Sequence, residues 1–278
     1  MQRIPFGIRR LDTTISGGAP SGSVVLLSGE AGAGSREFMY TTAVMNALAT
    51  ADEELFDLYY GDIDEGTTVP PEVHYVSFTA DRKQVRQEME HALDPELVDA
   101  SMDAVTFHDL SPEYFRLSPV PRNWYSERTA TITDLGADDD RTSVPEALGD
   151  RLSEHAEGNL VVIDSLTDLI SAAEDDLSWN EIPQLLKGIS RAAHRWGGLI
   201  LIRVNHETLT AEQHGQLVDS AAGTLMFEWE SGGSTRARTL VVRQFRGVLS
   251  RIEEENIVRF ETEIGDAGFD ISDVRKIR

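Results

Sequence analysis

A short apolar run, Val24-Val25-Leu26-Leu27-Ser28, ends in the turn Gly29-Glu30-Ala31-Gly32-Ala33-Gly34-Ser35-Arg36. A helical pattern begins at once, with Phe38, Met39, Thr42, Met45 and Leu48 at helical spacing. Strand, glycine-rich loop and helix in that order are the tightest constraint on the fold, because this unit belongs in an α/β sheet. The rest of the chain agrees. Val73–Phe78, Ala104–His108, Leu160–Asp164 and Leu199–Asn205 read as strands. Helical patterns lie between them, after Asp81, from about Pro145 to Ala156 and around Ile182 to Trp196. Asp81-x-x-Gln84 has the form of a capping box, and Val85, Met89 and Leu93 form its apolar stripe. Three further strand patterns close the chain, Gly223–Glu230, Arg238–Arg243 and Asn256–Glu263. The expectation is a mainly parallel twisted sheet flanked by helices, with C-terminal antiparallel strands. It forms one domain over 1–278, with insertions at 51–71 and 111–143.

The loop approximates the nucleotide-binding pattern G-x-x-x-x-G-K-[ST]. In that pattern backbone amides cradle phosphates, the lysine reaches the β- and γ-phosphates, and the hydroxyl holds Mg²⁺. Gly29 and Gly34 stand at the glycine positions, but Ser35 replaces the lysine and Arg36 replaces the hydroxyl residue. A frame that makes Arg36 the lysine puts Glu30 and Ser35 where glycines belong. Gly29, Gly32, Gly34, Ser35 and Arg36 can still offer amides and a helix N-terminus to an anion. The fixed cation and the direct magnesium ligand are lost. The alternative is a tight strand–helix turn with no ligand.

The order of signals resembles the RecA superfamily and, within it, the archaeal KaiC-like ATPases. Phe6-Gly7-Ile8-Arg9-Arg10-Leu11-Asp12 is similar to that family's opening turn, and Ser16-Gly17-Gly18-Ala19-Pro20-Ser21-Gly22-Ser23 to its approach to the first strand. The resemblance covers nearly the whole chain and implies a RecA-like fold with ATP and magnesium as cofactors. By resemblance, Asp164 takes the place of the Walker B aspartate that helps hold Mg²⁺; otherwise it caps the next segment. Asn205-His206 resembles the sensor that reads a γ-phosphate. Gln244-Phe245-Arg246-Gly247 resembles the segment that reaches a neighbouring subunit's nucleotide, with Arg246 kept and the lysine replaced by Gln244. The family's glutamate pair after the second strand maps to Thr79-Ala80, neither of which accepts a proton. Asp81 follows one residue late, as a helix cap.

These losses fall in one functional set, so the expectation is a non-catalytic regulator or adaptor. It acts through a protein partner or as a homo-oligomer, with ATP and Mg²⁺ bound weakly or not at all. A nucleotide-binding switch or weak ATPase, and an accessory of archaeal recombination or motility, remain open.

Charge bears on partners. The formal net charge is −23, and Lys83, Lys187 and Lys276 are the only lysines. An acid-rich, lysine-poor surface resembles those of salt-in haloarchaeal proteins, where salt screens self-repulsion. Such a surface argues against direct nucleic-acid binding. The chain has no cysteine, and its seven histidines lack metal-ligand spacing in the sequence, so no zinc site is expected. No apolar run of about 18 residues suggests a membrane span. Met1–Phe6 lacks the apolar core of a signal peptide, so a cytoplasmic location is expected.

Overall fold

The computed structural model describes residues 2–116, 118–125, 143–172, 177–232, 235–248 and 257–276. A nine-stranded sheet forms its centre. In chain order the helices and strands begin with the two-residue strands β1 (Arg3–Ile4) and β2 (Ala19–Pro20), which pair with each other and enclose α1 (Arg9–Thr14). Then come β3 (Ser23–Gly29), α2 (Ser35–Ala51), α3 (Glu53–Tyr59), β4 (Val73–Ser77), α4 (Arg82–Ala92), α5 (Pro95–Ser101), β5 (Val105–Asp109) and α6 (Ser111–Tyr114). They continue with α7 (Val144–His155), β6 (Leu160–Asp164), α8 (Leu166–Ala172), α9 (Glu181–Trp196), β7 (Leu199–Asn205) and α10 (Ala211–Ser220). The last four are β8 (Gly223–Gly232), β9 (Thr235–Phe245), β10 (Ile257–Gly265) and β11 (Gly268–Lys276).

The strand order is β11-β10-β9-β8-β3-β7-β6-β4-β5. Strands β8 to β5 in that row run parallel, and β9, β10 and β11 add antiparallel ribbons. The parallel core is buried on both faces, as crossover helices require. In β3, Val25 and Leu27 face the α2 side while Val24 and Leu26 face the α9 side, and all four are buried. This alternation of period two governs everything below.

The expected strands and helices are present with small shifts at their ends. Between 51 and 71, where an insertion was expected, α2 runs on to Ala51. Asp52 then caps α3 by accepting from the Leu55 amide at 3.0 Å. The aromatic pair Phe56–Tyr60, with ring centroids 4.9 Å apart, anchors that helix to the core. Glu53, Glu54 and Asp57 thus lie on a helix, with Asp62, Asp64 and Glu65 in the turns that follow. α5, α8, α10 and β11 were not anticipated. Of the irregular 111–143 segment, α6 and a single 3₁₀ turn at Arg122–Trp124 are described. Residues 126–142 of the expected insertion lie outside the described residues.

The opening turn owes its shape to one carboxylate. Asp12 is fully buried and accepts from the amides of Phe6, Gly7 and Ile8, at 2.9, 3.0 and 3.2 Å, and from the Tyr60 hydroxyl at 3.1 Å. Burial pushes its pKa up to about 7 against the pull of those donors.

Candidate phosphate-loop site

The loop sits at the C-terminal edge of the parallel strands, where open α/β sheets place their ligands. Gly34 has φ +108°, and a Cβ there would come within 2.9 Å of the Phe269 ring. Glycine is therefore demanded both by backbone conformation and by the ring behind it. The β8–β9 ribbon splints the rest. Trp229 Nε1 donates to the Ala31 carbonyl at 3.0 Å, and Arg238 Nε donates to the Gly32 carbonyl at 3.1 Å. The Arg238 guanidinium also lies 4.7 Å from the centre of the Trp229 ring, a cation–π contact. The Glu30 carboxylate accepts from the Trp229 amide at 3.3 Å. A cavity of about 280 Å³ opens over this loop, lined by Gly29, Gly34, Ser35, Arg36, Arg203 and Asn205 among others.

Asp164 ends β6, and its neighbour in the register is Arg203. The β6–β7 pairing runs Leu160↔Leu199 to Ile163↔Ile202, so the next step sets Asp164 opposite Arg203. By parity both point toward α2. Arg203 Nε donates to Asp164 Oδ1 at 2.8 Å. The Tyr75 hydroxyl, from β4 on the same face, donates to Oδ2 at 2.9 Å. The side chains of Asp164 and Arg203 are only 10% and 14% exposed, so this is a shielded charge pair. Burial and the Asp164 charge drive the Tyr75 pKa well up, which keeps that hydroxyl a donor.

Arg36 approaches from the first turn of α2. Its Nε is 3.9 Å from Asp164 Oδ2 and its Nη1 is 3.6 Å from Glu88 Oε2. Partial burial opposes its charge, but Asp164, Tyr40 and Glu88 outweigh that and its pKa is raised. Glu88, on α4, also accepts from the Tyr40 hydroxyl at 2.6 Å. Ser35 is buried beneath the loop; a Cβ on Gly29 would meet its Oγ at 2.6 Å.

Gly29, Gly32, Gly34, Ser35, Arg36 and Asn205, all expected at the site, do line one cavity. Asn205 is largely committed. Its Oδ1 caps the next 3₁₀ turn by accepting from the Glu207 amide at 3.0 Å, and its own amide donates to Thr167 Oγ1 at 2.9 Å. His206 turns below the loop, its Nδ1 3.2 Å from the Ser28 hydroxyl, which His214 Nε2 also meets at 2.9 Å. Asp81 caps α4 by accepting from the Gln84 amide at 2.7 Å, and Thr79 and Ala80 bring no carboxylate. Arg246 lies elsewhere. It follows β9, whose end pairs with the start of β8 (Phe245↔Gly223), so it is exposed at the opposite edge of the sheet from its own chain's loop.

Arg203, Tyr75 and Glu207 were not anticipated as site residues. Arg203 had a signal, as the one charge inside Leu199-Ile200-Leu201-Ile202-Arg203-Val204. Glu207 had none. Its carboxylate accepts from the Ala31 amide of the loop at 2.9 Å.

The resemblance implies magnesium at this place, and the residues do not fit it. Both oxygens of Asp164 are engaged, and the hydroxyl position holds a guanidinium. Among the described residues no group of three histidines or acids is arranged to hold a metal ion. The histidines are less scattered than the sequence suggests. His74, His108 and His155 form a cluster with ring centroids 4.8 to 5.3 Å apart, although not as metal ligands.

No model of a known protein family matches the chain, and no curated protein matches it. Among solved structures it is similar to a KaiC-like protein of the hyperthermophilic archaeon Pyrococcus horikoshii OT3. The TM-score is 0.61 at 15% identity, over 98% of this chain and 99% of that one. None of the described helices is long and apolar enough to cross a membrane. At that identity the likeness speaks for architecture alone, and the architecture is an α/β RecA-like fold like that of this neighbour.

Proposed function

We propose that this chain is a KaiC-like-fold protein that does not hydrolyse nucleotide and acts by binding, as a regulator or adaptor for a protein partner or for further copies of itself. The observation that carries this reading is the Asp164–Arg203 pair. Hydrolysis on this fold needs a free carboxylate near the metal, a loop cation and a base for water. Here the carboxylate is neutralised by its strand neighbour, Ser35 stands at the cation's position, and Thr79-Ala80 stand at the base's. The scaffold around the loop is intact and tightly splinted, which supports a retained structural or binding role. Arg246, exposed at the far edge of the sheet, is the candidate contact to a neighbouring subunit. The acid-rich composition supports a salt-rich working environment and a partner other than nucleic acid.

ATP turnover in molar potassium chloride tests this. No release of phosphate above background is expected. A rate that rises with Mg²⁺ and falls in D164A overturns it. One observation favours a second reading, a nucleotide switch without hydrolysis: the cavity over the loop is large enough to admit phosphate groups.

A further inference from the structure

We propose that the phosphate-loop cavity takes a phosphate-chain anion, a nucleoside triphosphate or an inorganic polyphosphate, without a divalent metal, and that Arg203 and Arg36 supply the charge the metal would bring. This rests on the reading of a non-hydrolysing site and names its ligand class.

The charge of a phosphate chain must be met wherever it binds. Loop amides contribute partial charges, and a bound divalent ion usually contributes the rest. In this chain the carboxylate that would recruit that ion is taken. For a metal to bind, Asp164 would have to leave Arg203, stranding a guanidinium that is only 14% exposed. The same guanidinium already lines the cavity. Its Nε serves Asp164, and its two Nη groups are the part left for a ligand, in the forked geometry that suits phosphate oxygens. Arg36 is the adjustable half. Its contacts to Glu88 and Asp164, at 3.6 and 3.9 Å, are longer than hydrogen bonds, and 46% of its side chain is exposed. It can turn onto a ligand while both carboxylates keep partners, Glu88 the Tyr40 hydroxyl and Asp164 both Arg203 and Tyr75.

Two of the negative groups nearby have partners of their own. Glu30 lines the cavity but its carboxylate accepts from the Trp229 amide, and Glu207 occupies the Ala31 amide that an incoming phosphate would claim. Glu37 remains on the cavity wall. Arg36, Arg203 and the loop amides therefore meet the ligand against Glu30 and Glu37 on the same wall, with Asp164 serving to orient Arg203.

Calorimetric titration of the full chain in molar potassium chloride tests this, with ATP and inorganic tripolyphosphate as probes, once in EDTA and once in excess Mg²⁺. Binding no weaker in EDTA than in Mg²⁺ is expected for at least one probe, and comparison of the two shows whether the base is read. R36A should weaken binding about tenfold in both buffers, the value of one charge-assisted hydrogen bond. Its melting curve should match wild type, since no buried charge is stranded. D164N/R203Q, which keeps a neutral hydrogen-bonding pair, should lose affinity equally in both buffers. Binding seen only with Mg²⁺, affinity unmoved by both variants, or no heat with either probe overturns the proposal. Mg²⁺-dependent turnover would overturn the non-hydrolysing reading instead. Absence of both heat and turnover leaves that reading standing and removes this one.

Discussion

The carboxylate of Glu207 accepts a hydrogen bond from the backbone amide of Ala31, 176 positions earlier in the chain, at 2.9 Å. The loop proposed to hold an external anion therefore carries an anion of its own chain. The contact is exposed, so it is weak and displaceable. E207Q should release the loop and remove a repulsive charge. The expected outcome is tripolyphosphate binding tightened about threefold, in line with a surface electrostatic contact. Unchanged or weaker binding would show that Glu207 does not compete with a ligand.

Arg203 should matter more for stability than for the shape of the loop. R203A strands the Asp164 carboxylate at 10% exposure and is expected to cost about 3–5 kcal/mol, the range for breaking a shielded pair from one side. D164N/R203M removes both charges and should recover most of that loss. Urea unfolding of the two variants separates the penalty of an orphaned charge from the strength of the pair.

Acid should destabilise the protein through its histidine cluster. His108 is half-buried beside His74, His155 and Arg151, and its pKa is lowered to about 4. His74 is lowered too, chiefly by burial, although Glu72 accepts from its Nε2 at 3.0 Å. Both are neutral in the fold, whereas in the unfolded chain a histidine protonates near 6.5. Their contribution is thus complete above about pH 6.5 and is lost as pH falls from there toward 4. H108Q should flatten the decline of Tm between pH 6.5 and 4.5. A decline as steep as wild type would place the acid sensitivity elsewhere.

Salt should stabilise the chain markedly. With a formal charge of −23 spread along the sequence, like-charge repulsion is relieved as the screening length shrinks from about 10 Å at 0.1 M to about 3 Å at 1 M. Tm is expected to rise continuously from low to molar potassium chloride. A Tm that falls over that range would contradict the reading of a salt-adapted surface.

Much of this was legible in one dimension. The run Val24–Ser28 with its glycine turn, and the apolar strands at 160–164 and 199–205, carry the parallel core because strand identity here depends on local apolar content. The cap residue Asp81 sets a helix start by a contact three positions away. The loss of lysine and hydroxyl at Ser35 and Arg36 is likewise a matter of sequence alone. The partners of Asp164 were decided by register and topology. Arg203 is 39 positions from Asp164 and faces it only because β6 and β7 pair in parallel at one particular offset; a slip of one residue would turn it to the other face of the sheet. Tyr75 joins them from β4 through the same parity. Glu207 reaches Ala31 because β3 and β7 are neighbours ending at the same edge. Local composition thus determined which elements form and which residues stand in the loop, while the pairing of distant strands determined that Asp164 meets Arg203 and Tyr75, since cross-strand partners are set by the whole sheet and not by any one of its segments.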